Sequence, residues 1–313
     1  MRIRHTVSAA ALAVVISVTV GYAGWLSSDH RSAAAPPRVD PGRGDTMIYL
    51  DAEARVRQAT RADPAHPFAE GPTCHRAYAA AGTLICLRPA DGVPDAYEAA
   101  IFDRDLVLRK RIDLWGTPSR ARVSPSGHLV AWTVFHSGDS YLLAGQFSTI
   151  AGIYDLTTGE HHGSLEDFTA RIDGVTVTST HVNYWGITFA ADDHTFYATM
   201  GIDGKTWLVR GDLRDRTLTA LQENVECPSL SPDGTRIAYK KKSGGHWRLH
   251  VLDLTTGRQT PLAEQRDVDD QAAWLDAQTV AYRQNGGVFA VPADGTGTAR
   301  LLLAGASSPA SLP

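Results

Sequence analysis

The chain has 313 residues but only three cysteines and three methionines, and it is poorer still in signatures of chemistry. It holds no Gly-x-Ser-x-Gly nucleophile elbow, no His-Glu-x-x-His zinc motif, no phosphate-binding loop and no paired Cys-x-x-Cys. Hydrolases built on that elbow, helix-borne zinc peptidases and P-loop NTPases are thereby excluded. Beyond the N-terminal segment no window sustains a helical period, which excludes a helical bundle. Large excess charge is also missing, since the formal net charge is −4. The first 35 residues carry Arg2, Arg4, Arg31 and Asp29, leaving the rest at about −6. A mildly acidic body gives no reason to expect nucleic acid or anionic lipid as a partner.

What is present begins with an uncharged stretch, Thr6 to Ser28, behind the basic residues Arg2, Arg4 and His5. Its length suits either a secretory signal, with Gly21 and Ala23 as small residues before a cleavage point, or an uncleaved membrane anchor. Both place the body outside the cytoplasm, secreted or tethered to the membrane. Residues 1–28 are therefore read as signal peptide or signal anchor. Residues 29–45, rich in Ala, Pro and Gly, are read as a flexible linker, and 46–313 as one folded domain. Cys74 and Cys86 stand near-symmetrically about a turn at Ala81-Gly82, and an oxidising compartment permits a disulfide between them. Cys227 has no evident partner.

Glycine and turn residues are plentiful, and they recur at a fixed spacing. The clearest unit, 226–262, reads ECPSLSPDGTRIAYKKKSGGHWRLHVLDLTTGRQTPL, four short β runs separated by SPDG, SGG and TTG turns. Related units carry RVSPSGHLVAWTVF with AGIYDLTTGE, FAADDHTFYATM, YAAAGTLICLR and AAWLDAQTVAYR. Aligned on the turn they begin near 79, 124, 190, 231 and 274, about 41–45 residues apart except for one insertion, assigned to 136–150. Four strands at that period describe an all-β propeller. The ends supply a sixth blade, with TMIYLDAEARVRQAT (46–60) giving outer strands and SSPASLP (307–313) the missing inner one. Six blades are expected, five or seven being the alternatives. The run Lys240-Lys241-Lys242 is read as a solvated strand end that discourages edge pairing.

SPDGTRIAY followed by DLTTG resembles the WD-like repeats of TolB-type propellers, and VSPSGHLVAW with IYDLTTGE matches the same wording. With NYWGITFA, the chain is similar to small actinobacterial TolB-like proteins over roughly 46–313. The resemblance implies an exported propeller that binds protein or ligand, and it carries over no catalytic residue.

Inner strands of successive blades meet around one axis, so residues at their starts converge although they are distant in sequence. Those positions hold His75, Arg120, Arg122, Asn183, Trp185, Glu226, Asp269, Asp270 and Gln271, a candidate binding ring at the channel mouth. Asp267, Asp269 and Asp270 offer oxygens to Ca²⁺, without the remaining ligands of a calcium loop. No resident metal or cofactor is expected. The expectation is a non-enzymatic, monomeric propeller outside the cytoplasm, binding an envelope protein or peptide and no nucleic acid, with membrane contact only through an uncleaved N-terminal segment. The alternative is a lactonase- or lyase-like enzyme with a metal in the channel.

Overall fold

Each repeat is organised by a turn that carries its own hydrogen bonds. In Ser231–Gly234 the Asp233 Oδ1 accepts from the Ser231 hydroxyl at 2.5 Å and from the Thr235 amide at 3.0 Å, while Gly234 takes φ +72°. The Ser231 hydroxyl, then the Thr235 amide, hold the Asp233 carboxyl down at about 2. Asp192 does the same work for the amides of His194 and Thr195. In the two DLTTG turns Asp155 and Asp253 accept from the two amides of the following Thr pair. Such side-chain-to-backbone bonds fix tight turns in a chain otherwise made of strands.

The computed structural model describes residues 36–136, 148–179 and 181–313. The strands form six separate sheets. Blades two, three, five and six are each continuous in sequence and four-stranded, with inner strands Arg76–Ala80, Thr117–Val123, Glu226–Leu230 and Ala273–Trp274. Blade four begins with Val182–Phe189 and is six-stranded, because Thr169–Ile172 adds in parallel to its outer strand Thr217–Glu223 and Val175–Thr176 folds back on that. The extra length of this repeat is therefore not confined to 136–150, of which 137–147 lie outside the described residues.

Blade one closes the ring. Its inner strand is Ser307–Leu312, paired to Thr46–Leu50 with Thr46 opposite Leu312, and Arg55–Thr60 and Ala69–Thr73 follow outward. The six blades are thus closed into a ring by a strand from each end of the described chain.

The hydrophobic core is distributed between blades. Ile85 and Leu87 of blade two pack with Val130 and Trp132 of blade three, and Ala238 and Val251 of blade five with Val280 and Tyr282 of blade six. Gly186, at φ +66°, lets blade four approach blade five so closely that a Cβ there would stand 2.7 Å from Cys227 Cα.

One boundary differs from the sequence reading. The folded unit runs from Arg38, since Val39 is buried and bonds to Glu70, and Asp40 accepts from Arg104. Residues 38–45 are thus packed chain rather than flexible linker. Residues 1–35, which include the proposed signal or anchor, lie outside the described residues. No helix among the described residues is long and apolar enough to cross a membrane.

Cys74 and Cys86 are joined, with sulfurs 2.04 Å apart. The geometry is not a direct cross-strand pair: Cys86 lies opposite Ala77, and Cys74 sits in the connection before Arg76. Cys227 is a free, buried thiol.

Candidate functional site at the channel mouth

The inner strands surround a narrow axis that side chains largely fill. Arg122 is buried and reaches from blade three to Ser229 Oγ of blade five at 3.3 Å and to the Ala272 carbonyl at the start of blade six. Its guanidinium lies 4.5 Å over the Tyr78 ring of blade two. Burial pulls the Arg122 pKa down, and Tyr78 and Asp270 oppose that pull. Gln271 donates to the Ile187 carbonyl of blade four at 3.1 Å and to the Pro228 carbonyl of blade five at 2.7 Å. Arg120 and Arg76 both donate to the Ser119 carbonyl, and Arg120 extends to within 3.9 Å of Cys227 Sγ.

Between these side chains lies a cavity of about 30 Å³ lined by Arg76, Tyr78, Arg120, Arg122, Asp270 and Ser308 among others. That holds one or two waters, not an organic substrate.

A second cluster joins blade five to the connection entering blade six. Lys240 is fully buried, donates to Asp269 Oδ1 at 2.5 Å and lies 4.6 Å over the Trp247 ring. The Trp247 indole donates to Glu226 at 3.1 Å. Burial pushes the Asp269 carboxyl up, but the charges of Lys240 and Arg120 more than offset it and hold it low. Burial would lower Lys240, but Cys227, Asp269 and Glu226 hold its pKa above the usual lysine value. Lys240 therefore does not belong to a solvated lysine run. Alternation along the strand turns it to the face opposite its neighbour Lys241.

The positions expected to converge thus fall into distinct groups. Arg120, Arg122, Asp270 and Gln271 meet in the channel, while Glu226 and Asp269 meet through Lys240 and Trp247. Asn183 accepts from the Thr149 amide at 3.1 Å, and Trp185 is buried between blades. His75 stands exposed at the rim, its ring 5.9 Å from Tyr97, with burial and then Arg76 lowering its pKa. The acids read as a possible calcium set point to separate groups: Asp267 to the Trp247 amide, Asp269 to Lys240 and Asp270 to the Arg283 amide. Among the described residues no three His, Cys, Asp or Glu side chains are grouped to hold a metal.

Sequence reasoning passed over Arg76, Tyr78 and Trp115, and misplaced Lys240. The first two share the inner strand that follows His75, and the register could have supplied them. Trp115 is 79% exposed in the two-residue connection from blade two to the inner strand of blade three. That connection crosses the face on which the inner strands begin.

No protein-family model matches the chain, and no curated protein sequence matches it. Solved structures match its fold. TolB from Acinetobacter baumannii is similar at 16% identity and a TM-score of 0.59, covering 86% of this chain and 68% of that one. A nidogen/laminin complex matches at 10% identity and 0.53, covering 79% and 89%. An oligogalacturonate lyase in complex with manganese matches at 11% and 0.52, covering 82% and 73%. The fold is that of a TolB-like six-bladed propeller.

Proposed function

We propose that this chain is a non-catalytic propeller that works outside the cytoplasm as a monomer and binds a protein or peptide of the cell envelope at the channel mouth. The observation that carries the reading is the bracing of the channel by Arg122 and Gln271, which leaves about 30 Å³ beneath the mouth. Recognition is then a matter of surface contact rather than of substrate entry. Trp115, exposed on the same face, is the kind of rigid aromatic anchor that dominates protein interfaces. Exposed His75 and Asp269 add polar contacts at the rim. The Cys74–Cys86 disulfide is in keeping with an oxidising compartment. Propellers serve binding and catalysis alike, so the site rather than the fold decides.

A photo-reactive residue placed at 115 should cross-link one discrete partner in intact cells, while one at Thr235, on the opposite face, should not. The purified partner should bind the propeller, and Trp115→Ala should weaken that binding at least tenfold without changing Tm. Equal binding by the variant would remove the mouth as the site. A stoichiometric metal ion in native mass spectra of the purified domain would replace this reading with the lyase- or lactonase-like alternative.

A further inference from the structure

A second concave surface lies outside the channel, on the outer part of blade five. It is a cleft of about 370 Å³ bordered by Lys241, Lys242, Ser243, Arg248, His250 and Glu264. Lys241 on the strand Arg236–Ser243 stands directly opposite Arg248 on His246–Asp253. Like charges facing each other in antiparallel register repel, so this pairing costs stability where alternation offered a neutral choice. His250 lies two residues beyond Arg248 on the same face.

No carboxylate among the described residues pairs with Lys241 or Arg248. Among the described residues Lys241 reaches only the Gln259 side-chain oxygen at 2.6 Å and Arg248 a backbone carbonyl at 3.4 Å, while Lys242, one residue on, turns to the opposite face over Trp247 at 5.6 Å. Glu264 borders the cleft but is occupied, since Arg266 grips both of its oxygens and the Tyr282 hydroxyl donates to one. Two cations without a carboxylate therefore face each other at one cleft of a chain whose net charge is negative. Pro261, opposite His250 on the same face, gives the cleft an apolar edge.

We propose that this cleft binds a phosphate ester, with the phosphate between Lys241 and Arg248 and the organic part against Pro261. Lysine and arginine together suit a tetrahedral oxyanion, which accepts from several donors at once. The volume exceeds what bare phosphate fills and falls in the range of small-ligand sites. The ester can come free in solution or as a lipid headgroup, and the chemistry is the same in both.

The test uses the purified propeller and a Lys241→Gln/Arg248→Gln double variant, titrated calorimetrically with glycerol 3-phosphate and with inorganic phosphate, and floated with phosphatidylglycerol or phosphatidylcholine vesicles. Glycerol 3-phosphate should bind more tightly than inorganic phosphate, and the variant should lose at least tenfold in affinity. Its Tm should be equal or higher, because the repulsion is relieved. Co-flotation with phosphatidylglycerol alone, lost in the variant, assigns a headgroup; binding of glycerol 3-phosphate without co-flotation assigns a soluble ester. Absence of binding in both arms overturns the proposal, as does undiminished binding by the variant. Inorganic phosphate binding as tightly as the ester overturns the assignment of an organic part.

Discussion

Arg122 of the third blade donates to the backbone carbonyl of Ala272 at the entry to the sixth, directly across the ring. One side chain thereby ties opposite blades, and through Ser229 and Tyr78 it touches the fifth and the second as well.

Truncating this brace leaves a buried carbonyl without its donor and a void beneath Tyr78. Arg122→Ala is expected to cost about 3 kcal/mol and to lower Tm by roughly 5–10 °C. Arg122→Met, which keeps the volume and removes a charge that had to be desolvated, should retain most of that stability. Calorimetric melting of the two variants checks both statements, and an unchanged Arg122→Ala curve would show that the brace is idle.

The Lys240–Asp269 pair sets a pH window. Asp269 titrates below its unfolded value in the folded state, so its contribution is present above the unfolded carboxylate range and is lost as pH falls through the folded pKa. Lys240 titrates above its unfolded value, so its contribution is present below the unfolded lysine pKa, about 10.4, and is lost at still higher pH. Between those limits Asp269→Asn should be destabilising, since it leaves Lys240 buried without its nearest carboxylate. The gap between wild type and variant should narrow below about pH 4, the ordinary aspartate range. Denaturant midpoints measured from pH 3 to pH 8 decide this; a gap independent of pH would separate the pair from the stability of the blade.

Removing Ser307 onward deletes the inner strand of blade one and the Ser311–Leu275 bond to blade six. The truncated chain should melt at a distinctly lower temperature and self-associate, because Thr46–Leu50 becomes an open edge. Light scattering during a thermal ramp would register both effects, and coincident traces for the two chains would argue against closure by this strand.

The disulfide closes a short loop, with a sequence separation of 12 residues, and should contribute about 3 kcal/mol. Thiol labelling of denatured, unreduced protein should modify Cys227 alone, and reduction should lower Tm. Three labelled thiols would contradict the pairing.

The repeat was legible because its turns need particular residues. Asp233, Asp253 and Gly234 each answer a local hydrogen-bond or φ requirement, and local requirements leave marks in sequence. Ring closure by 46–60 and 307–313 was legible from the missing strands at each end. The channel was legible only as a list of positions. Arg122 bonds to a carbonyl 150 residues away, and nothing near Arg122 in sequence records that. Lys240 misled for a related reason: three lysines in a row look solvated, but alternation sends the first inward to Asp269 and leaves the second facing Arg248.

The ring closure also orders events in time. Blades two, three, five and six use contiguous chain, so each can form as soon as its own residues are available. Blade one cannot, because Thr46–Leu50 waits for Ser307–Leu312, the longest-range strand pairing among the described residues. Contacts so distant in sequence form slowly. A chain made from its N-terminus therefore carries Thr46–Leu50 unpaired until Ser307–Leu312 is available to complete the blade.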